Sequence, residues 1–129
     1  MFTLEQIDDI HHRFGRQDTL VQYLQALNAI GVERSDSFLT DGHSEYFGQG
    51  GESVITPPAH EVLTVAGTSS RDGLVEHLAL HSQGKTSYLE MSKGLARSGV
   101  EKWTFDTSAL TIAYYDKAGN ELLTEAVRV

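Results

Sequence analysis

Apolar residues recur at helical spacing from the start of the chain. Leu4, Ile7, Ile10 and Phe14 follow the i, i+3, i+4 rhythm of one helix face. Thr3 stands where it can cap that helix, with Gln6 as reciprocal partner in a capping box. A second helix is expected from Asp18, with Leu20, Leu24, Leu27 and Ile30 along it and Gly31 as its stop. The rhythm then shortens. Three extended segments are predicted near residues 32–39, 43–48 and 53–56, with turns at Asp41-Gly42 and at Gly48-Gln49-Gly50-Gly51.

The same plan returns downstream. Leu74, Val75 and Leu78 mark a helix ending near Gly84. Thr86 or Ser87 starts the next, Ser87 with Glu90 fitting a capping box. Tyr88, Met91 and Leu95 line one face, and Gly99 ends it. Strands are expected at Val100–Phe105, Leu110–Tyr115 and Glu121–Val127, the last two joined by a turn at Asp116-Lys117-Ala118-Gly119. Laying Gly99 on Gly31 superposes the halves without a gap. Gly31-Val32-Glu33-Arg34 meets Gly99-Val100-Glu101-Lys102, Tyr46-Phe47 meets Tyr114-Tyr115, and Val54-Ile55-Thr56 meets Leu122-Leu123-Thr124. Upstream, Ile7, Ile10 and Leu27 meet Val75, Leu78 and Leu95, and the cap Asp18 meets Thr86.

The expected fold is therefore α+β. Two pseudo-repeated ααβββ halves, about residues 1–56 and 70–124, share one core and an antiparallel sheet around a pseudo-twofold axis. A half of about 65 residues is marginal alone, so residues 1–129 read as one domain. Residues 57–69 connect the halves. Pro57-Pro58 excludes a helix or central strand there, while His60–Val65 can form an extended edge segment.

Composition narrows the function classes. The 129 residues carry 18 acids against 10 bases, a net charge of -8. Nucleic-acid binding rests on Lys and Arg at phosphates, so no nucleic-acid partner is expected. With no cysteine, disulfides, thiolate metal sites and a cysteine nucleophile are excluded. No apolar run is long enough to span a membrane, and the N-terminal stretch lacks a secretory pattern. A cytoplasmic address is expected.

The stretch HSQGKTSYLEM (residues 81–91), followed by GVEKW and LTIAYYDKAGNELLTE, resembles a small uncharacterised bacterial family termed phage-envelope-protein-like, or YbcV-like. DGHSEYFG in the first half is similar to it as well. The resemblance implies a compact bacterial α+β domain and a phage-derived accessory role. It implies no catalytic residues.

Several residues can carry chemistry. His77 and His81 lie i, i+4 on one helix face, close enough for a single metal ion. Yet the segment His77-Leu78-Ala79-Leu80-His81 has no glutamate between them, and both flank the apolar stripe, as amphipathic core-edge side chains do. Gly84-Lys85-Thr86 ends like a phosphate loop, but Ala79 stands where the earlier glycine belongs and no strand precedes it. What remains there is a helix start that can receive a small anion through Lys85, Thr86 and backbone N–H groups.

Asp41-Gly42-His43-Ser44-Glu45 gathers reactive types at a turn. In a strand His43 and Glu45 share a face and Ser44 takes the other, which breaks a local Ser–His couple. Elsewhere the signals are thinner. Asp8 and His12 are an i, i+4 charge pair, His60-Glu61 has no supporting spacing, and Gly48–Gly51 lacks a dinucleotide fingerprint. Trp103 and Phe105 should face the core together, whereas Tyr114 and Tyr115, like Tyr46 and Phe47, must point to opposite faces.

The leading expectation is a non-enzymatic domain that binds a protein partner or a small ligand, without a cofactor. Exposed aromatics on a twofold-like fold make a homodimer a candidate. A ligand site would draw on His43, His81, Lys85, Thr86 and Tyr88. The alternative is a small-ligand or metal-dependent enzyme in which His43, His81 and Lys85 converge. A third reading is the phage-derived accessory protein.

Overall fold

A computed structural model describes residues 2–14 and 19–127. The elements run α1 (Leu4–Phe14), α2 (Leu20–Ala29), β1 (Val32–Phe38), β2 (Ser44–Gly48), β3 (Ser53–Ile55), α3 (Arg71–Ser82), α4 (Tyr88–Arg97), β4 (Lys102–Asp106), β5 (Thr111–Tyr115) and β6 (Glu121–Ala126). This is the α+β class, in ααβββ order twice. The strands form one antiparallel sheet in the order β3-β2-β1-β4-β5-β6.

Local chemistry fixes the helix ends. At α1 the Thr3 amide donates to Gln6 Oε1 at 2.8 Å and the Gln6 amide to Thr3 Oγ1 at 3.2 Å, satisfying two donors that a helix start leaves orphaned. Ser87, not Thr86, caps α4: its Oγ accepts from the Glu90 amide at 3.1 Å, and its own amide donates to the Glu90 carboxylate at 2.9 Å. Ser70 caps α3. The expected cap Asp18 lies outside the described residues. Gly99 ends α4 at φ +85°, with Ser69 Cα only 2.6 Å from where a Cβ would stand. Both facts demand glycine there.

The connector does not add the expected edge strand at His60–Val65; it is irregular throughout. Its amides are taken by loop carbonyls instead. Ala59 and His60 donate to Asp41 O and Leu63 donates to Thr40 O, leaving no ladder for a sheet edge to join. On α1 the charge pair that forms is Arg13 with Asp9, at 3.3 Å, rather than Asp8 with His12.

The sheet pairs at its centre through β1 and β4. Asp36 faces Thr104, 68 positions further along the chain. Arg34 faces Asp106 on one side of that pair and Phe38 faces Lys102 on the other, so the pairing maps onto itself when the halves are exchanged. Next outward, Arg34 faces Phe47 on β2 and Lys102 faces Tyr115 on β5. The bulges fall at different places, Val32/Arg34 in one half and Tyr114/Tyr115 in the other.

Because side chains alternate along a strand, this register sorts the sheet into two faces. Ser35, Tyr46, Trp103, Phe105 and Tyr114 share the face that the helices cover. There the four aromatics pack with Ile7, Leu24, Leu27, Leu74, Met91 and Leu95 in one buried cluster. Tyr23 of α2 sets its edge against Phe105, and Tyr88 of α4 against Trp103. The opposite face carries Arg34, Asp36, Phe38, Phe47, Lys102, Thr104 and Tyr115, and no described helix packs on it.

Candidate functional site

The expected site residues divide between places. His81, Lys85, Thr86 and Tyr88 meet at the α3–α4 junction. His81 Nδ1 lies 3.0 Å from Thr86 O, which fixes it as a donor. The Lys85 amide donates to Leu80 O, closing the end of α3. Tyr88 leans on Trp103, ring centroids 6.2 Å apart. The helix start itself is already occupied, since Glu90 supplies a carboxylate to the Ser87 amide. The hydrogen bonds from Ser87 lower the Glu90 pKa, and its fixed negative charge opposes an external anion at that helix end.

His77 has a packing role. A Cβ on Gly94 would fall 2.4 Å from its Nδ1, so the imidazole lies flat against α4 where only glycine leaves room. His77 and His81 thus face different partners. Among the described residues no three His, Asp or Glu side chains gather as a metal site would require.

His43 does not join that junction. It stands on the helix-free side, stacked on Phe38 at 4.5 Å and 7°, with Nδ1 2.5 Å from Asp41 Oδ1. The His43 amide also donates to Asp41, and chiefly for that reason the Asp41 pKa is lowered. Ser44 points through the sheet, its Oγ 2.9 Å from Ser37 Oγ, so no Ser–His couple forms.

A constellation absent from the sequence-based expectation occupies the middle of the helix-free face. Asp36 is buried, its side chain only 7% exposed. Its Oδ1 accepts from Thr104 Oγ1 at 2.7 Å. Arg34 Nε lies 3.9 Å from the same oxygen and Lys102 Nζ 3.6 Å from Oδ2. Each cation also rests on an aromatic ring. The Arg34 guanidinium is 4.4 Å from the Phe47 centroid; the Lys102 ammonium is 5.5 Å from Tyr115 and 6.0 Å from Phe38. The cations Arg34 and Lys102 and the rings Phe47 and Tyr115 form two pairs about the Asp36–Thr104 contact.

Arg34, Asp36, Lys102, Thr104, Tyr115 and Gly119 line a depression of about 310 Å³. Two cations against one carboxylate leave its lining net positive in a chain of net charge -8. Glu45 and Asp106 flank it on the same face, opposite Asp36 and Arg34 in the register, but do not line it. A second depression of about 370 Å³, at Asn28, Gly31, Glu33, Gln49, Glu52 and Ser108, offers carboxylates and no cation.

Sequence reading missed Arg34, Asp36, Lys102 and Thr104 because each is isolated in the chain. The self-comparison held the signal: a cation at Arg34 repeats at Lys102, and an aromatic at Phe47 repeats at Tyr115. Only the register turns those repeats into neighbours.

No described helix is long and apolar enough to cross a membrane. The model of a family described as a protein of unknown function (DUF1398) matches residues 8–126. Among curated proteins, none matches.

Proposed function

The chain belongs to the DUF1398 family, and for it we propose a non-enzymatic domain that binds a small anion on the helix-free face of its sheet. One observation carries this reading: Arg34 and Lys102 converge over buried Asp36. Their anchoring lowers the conformational cost of binding. The lining charge suits a monoanionic carboxylate or phosphate group, with Asp36 relieving the repulsion between the cations. Arg34 offers its remaining guanidinium donors in a planar fork, and Lys102 its remaining ammonium donors.

The experiment is a thermal-shift titration at low ionic strength with acetate and with inorganic phosphate. A ligand of the folded state raises Tm by mass action, and salt should weaken the effect. The rise is expected in the parent chain and in Lys85→Gln, and lost in Arg34→Gln and Lys102→Gln. No rise with either anion would overturn the proposal. Loss in Lys85→Gln alone would return the site to the start of α4.

The same face supports a homodimer as a second reading, since Phe38, Phe47, Tyr115 and the 59%-exposed Ile55 lie along it. Sedimentation of only monomer at high concentration would remove it. The phage-derived accessory role rests on the family resemblance; cofractionation with virions would support it. The internal duplication is supported by the self-mapping β1–β4 register, and a poor superposition of the two halves would count against it.

A further inference from the structure

The sheet has two edges, and the chain finishes them differently. β3 and β6 are the outermost strands. On β3, the Thr56 amide donates to Ser44 O and Glu52 O accepts from the Gly48 amide. Alternate residues of an antiparallel strand turn their backbone groups to the same side. Ser53 and Ile55 therefore turn theirs outward. The next outward position is Pro57, which has no N–H to offer. A three-residue strand that runs into Pro57-Pro58 is a blunted edge.

β6 is not blunted in that way. It runs six residues, Glu121–Ala126, without a proline. The Val127 amide donates to Leu110 O at 2.8 Å, so by the same alternation Leu123 and Glu125 turn their backbone groups to β5. Thr124 and Ala126 turn theirs outward. Leu122 O faces outward too, and a side chain takes it: Arg71 Nε donates to it at 3.1 Å. Past that cap, the outward amides and carbonyls of Thr124 and Ala126 have no partner among the described residues. They make a short open rail of two donors and two acceptors. Unpaired groups in such a row are the template on which an extended segment adds a strand.

Charge says which segment fits. Two exposed acids stand beside the rail, one on each face of the sheet. Glu125 lies opposite Ile112 on the helix-covered side. Glu121 lies opposite Tyr115 on the open side, its carboxylate accepting from Thr124 Oγ1 at 2.7 Å. Like charges across strands are destabilising and opposite charges favourable. These acids therefore disfavour a second copy of a chain whose net charge is -8, and favour a cationic strand. We propose that β6 receives an extended basic peptide segment as a seventh strand of the six-stranded sheet. Thr124 and Ala126 supply the backbone pairing, Glu121 and Glu125 select a base on each face, and Arg71 closes the rail at Leu122. The rail shares no residue with the Arg34–Lys102 depression and stands or falls independently of it.

The probe is the peptide acetyl-Lys-Val-Thr-Lys-Val-Thr-Lys-amide, titrated into the full chain at low ionic strength while its backbone amides are followed by NMR. At saturation the Thr124 and Ala126 amides should exchange with solvent at least about tenfold more slowly than in the free chain. Signals of Glu121–Ala126 should shift and those of Ser53–Ile55 should not. The same peptide with Glu for each Lys should bind at least about tenfold more weakly. So should one N-methylated throughout, which keeps its charge but donates no backbone hydrogen bond. Thr124→Pro removes an outward donor where an edge strand tolerates proline, and should weaken the peptide several-fold. Glu125→Gln should also weaken it, with the backbone untouched. Amides of Thr124 and Ala126 left unprotected at saturating peptide would overturn the proposal. So would equal binding of the Glu peptide. Protection already present in the free chain and rising with its concentration would give the edge to a second copy, and would overturn it as well.

Discussion

The two faces of the sheet are built from the same strands and do different work. On the covered face, Tyr46, Trp103, Phe105 and Tyr114 are packed under helices with Leu24, Leu27, Leu74 and Leu95. On the other face, alternate residues of those strands place Arg34 and Lys102 over Asp36, in a depression open to solvent. Burial of apolar area is the main favourable term in folding, so stability should concentrate on the first face. Pairs of half-exposed charges contribute little, so the second face is free to vary without unfolding the chain. Substitutions can break or sharpen that contrast.

The largest effect is expected at Leu24, which has no exposed surface. Leu24→Ala should lower unfolding free energy by about 2–5 kcal/mol, through lost burial and the cavity left behind. Urea unfolding measures it. If Leu24→Ala cost no more than Arg34→Gln, the division between faces would be wrong.

Asp36 is the exception on the open face, and it comes next. Its carboxylate is buried and accepts a 2.7 Å hydrogen bond from Thr104. Asp36→Ala should cost about 1.5–3 kcal/mol, the range of a charge-assisted hydrogen bond. Arg34→Gln should cost under about 1 kcal/mol, because Arg34 is 54% exposed and its ion pair is screened. The ratio of the two separates a structural carboxylate from a cation available to a ligand.

How much of this was legible beforehand follows from the range of each signal. Local signals carried far. Thr3 with Gln6 and Ser87 with Glu90 fixed helix starts within four residues of chain, and Gly31, Gly84 and Gly99 marked the ends, all with positive φ. Alternation placed Tyr114 and Tyr115 on opposite faces, and in the structure Tyr114 is the buried one. The failures needed distance. Asp36 and Thr104 become partners only when β1 pairs with β4, and nothing within either strand announces it. His43 and His81 looked equally reactive in sequence, yet one sits behind Phe38 on the open face and the other bonds to Thr86 O beside α4. His60–Val65 had β-forming residues but no free edge, because the loop at Thr40 and Asp41 took its amides. Propensity yields to tertiary contact in such cases.

A smaller effect lies at the helix starts that frame the covered face. Ser87→Ala removes the acceptor for the Glu90 amide and should cost about 1 kcal/mol, typical of a lost N-cap. Thr86→Ala removes a hydroxyl that makes no hydrogen bond. It should be near neutral in the same urea assay, which would place the cap at Ser87.

The smallest expected change is in acid dependence, and it belongs to the rim of the open face. The Asp41 carboxylate is held below its ordinary value of 3.8, first by the His43 amide and then, against some burial, by the His43 ring. A carboxyl group whose folded pKa is depressed binds its proton more weakly in the folded chain than in the unfolded one. Its contribution is therefore fully present above the unfolded value and is lost as pH falls through the lower folded value. Glu90 and Asp116 are shifted the same way by their own turn amides, so all three share the acid limb. Asp41→Asn keeps an acceptor for the His43 amide but removes the titration. Stability measured from neutral pH down through that limb should fall less steeply in Asp41→Asn than in the parent chain, with the curves parallel above pH 5 or so. Curves parallel throughout would mean that the Asp41–His43 contact is as strong with a neutral acceptor as with a charged one. The rim of the open face would then be held by backbone geometry, and the charge on Asp41 would be free to act outward, toward whatever that face binds.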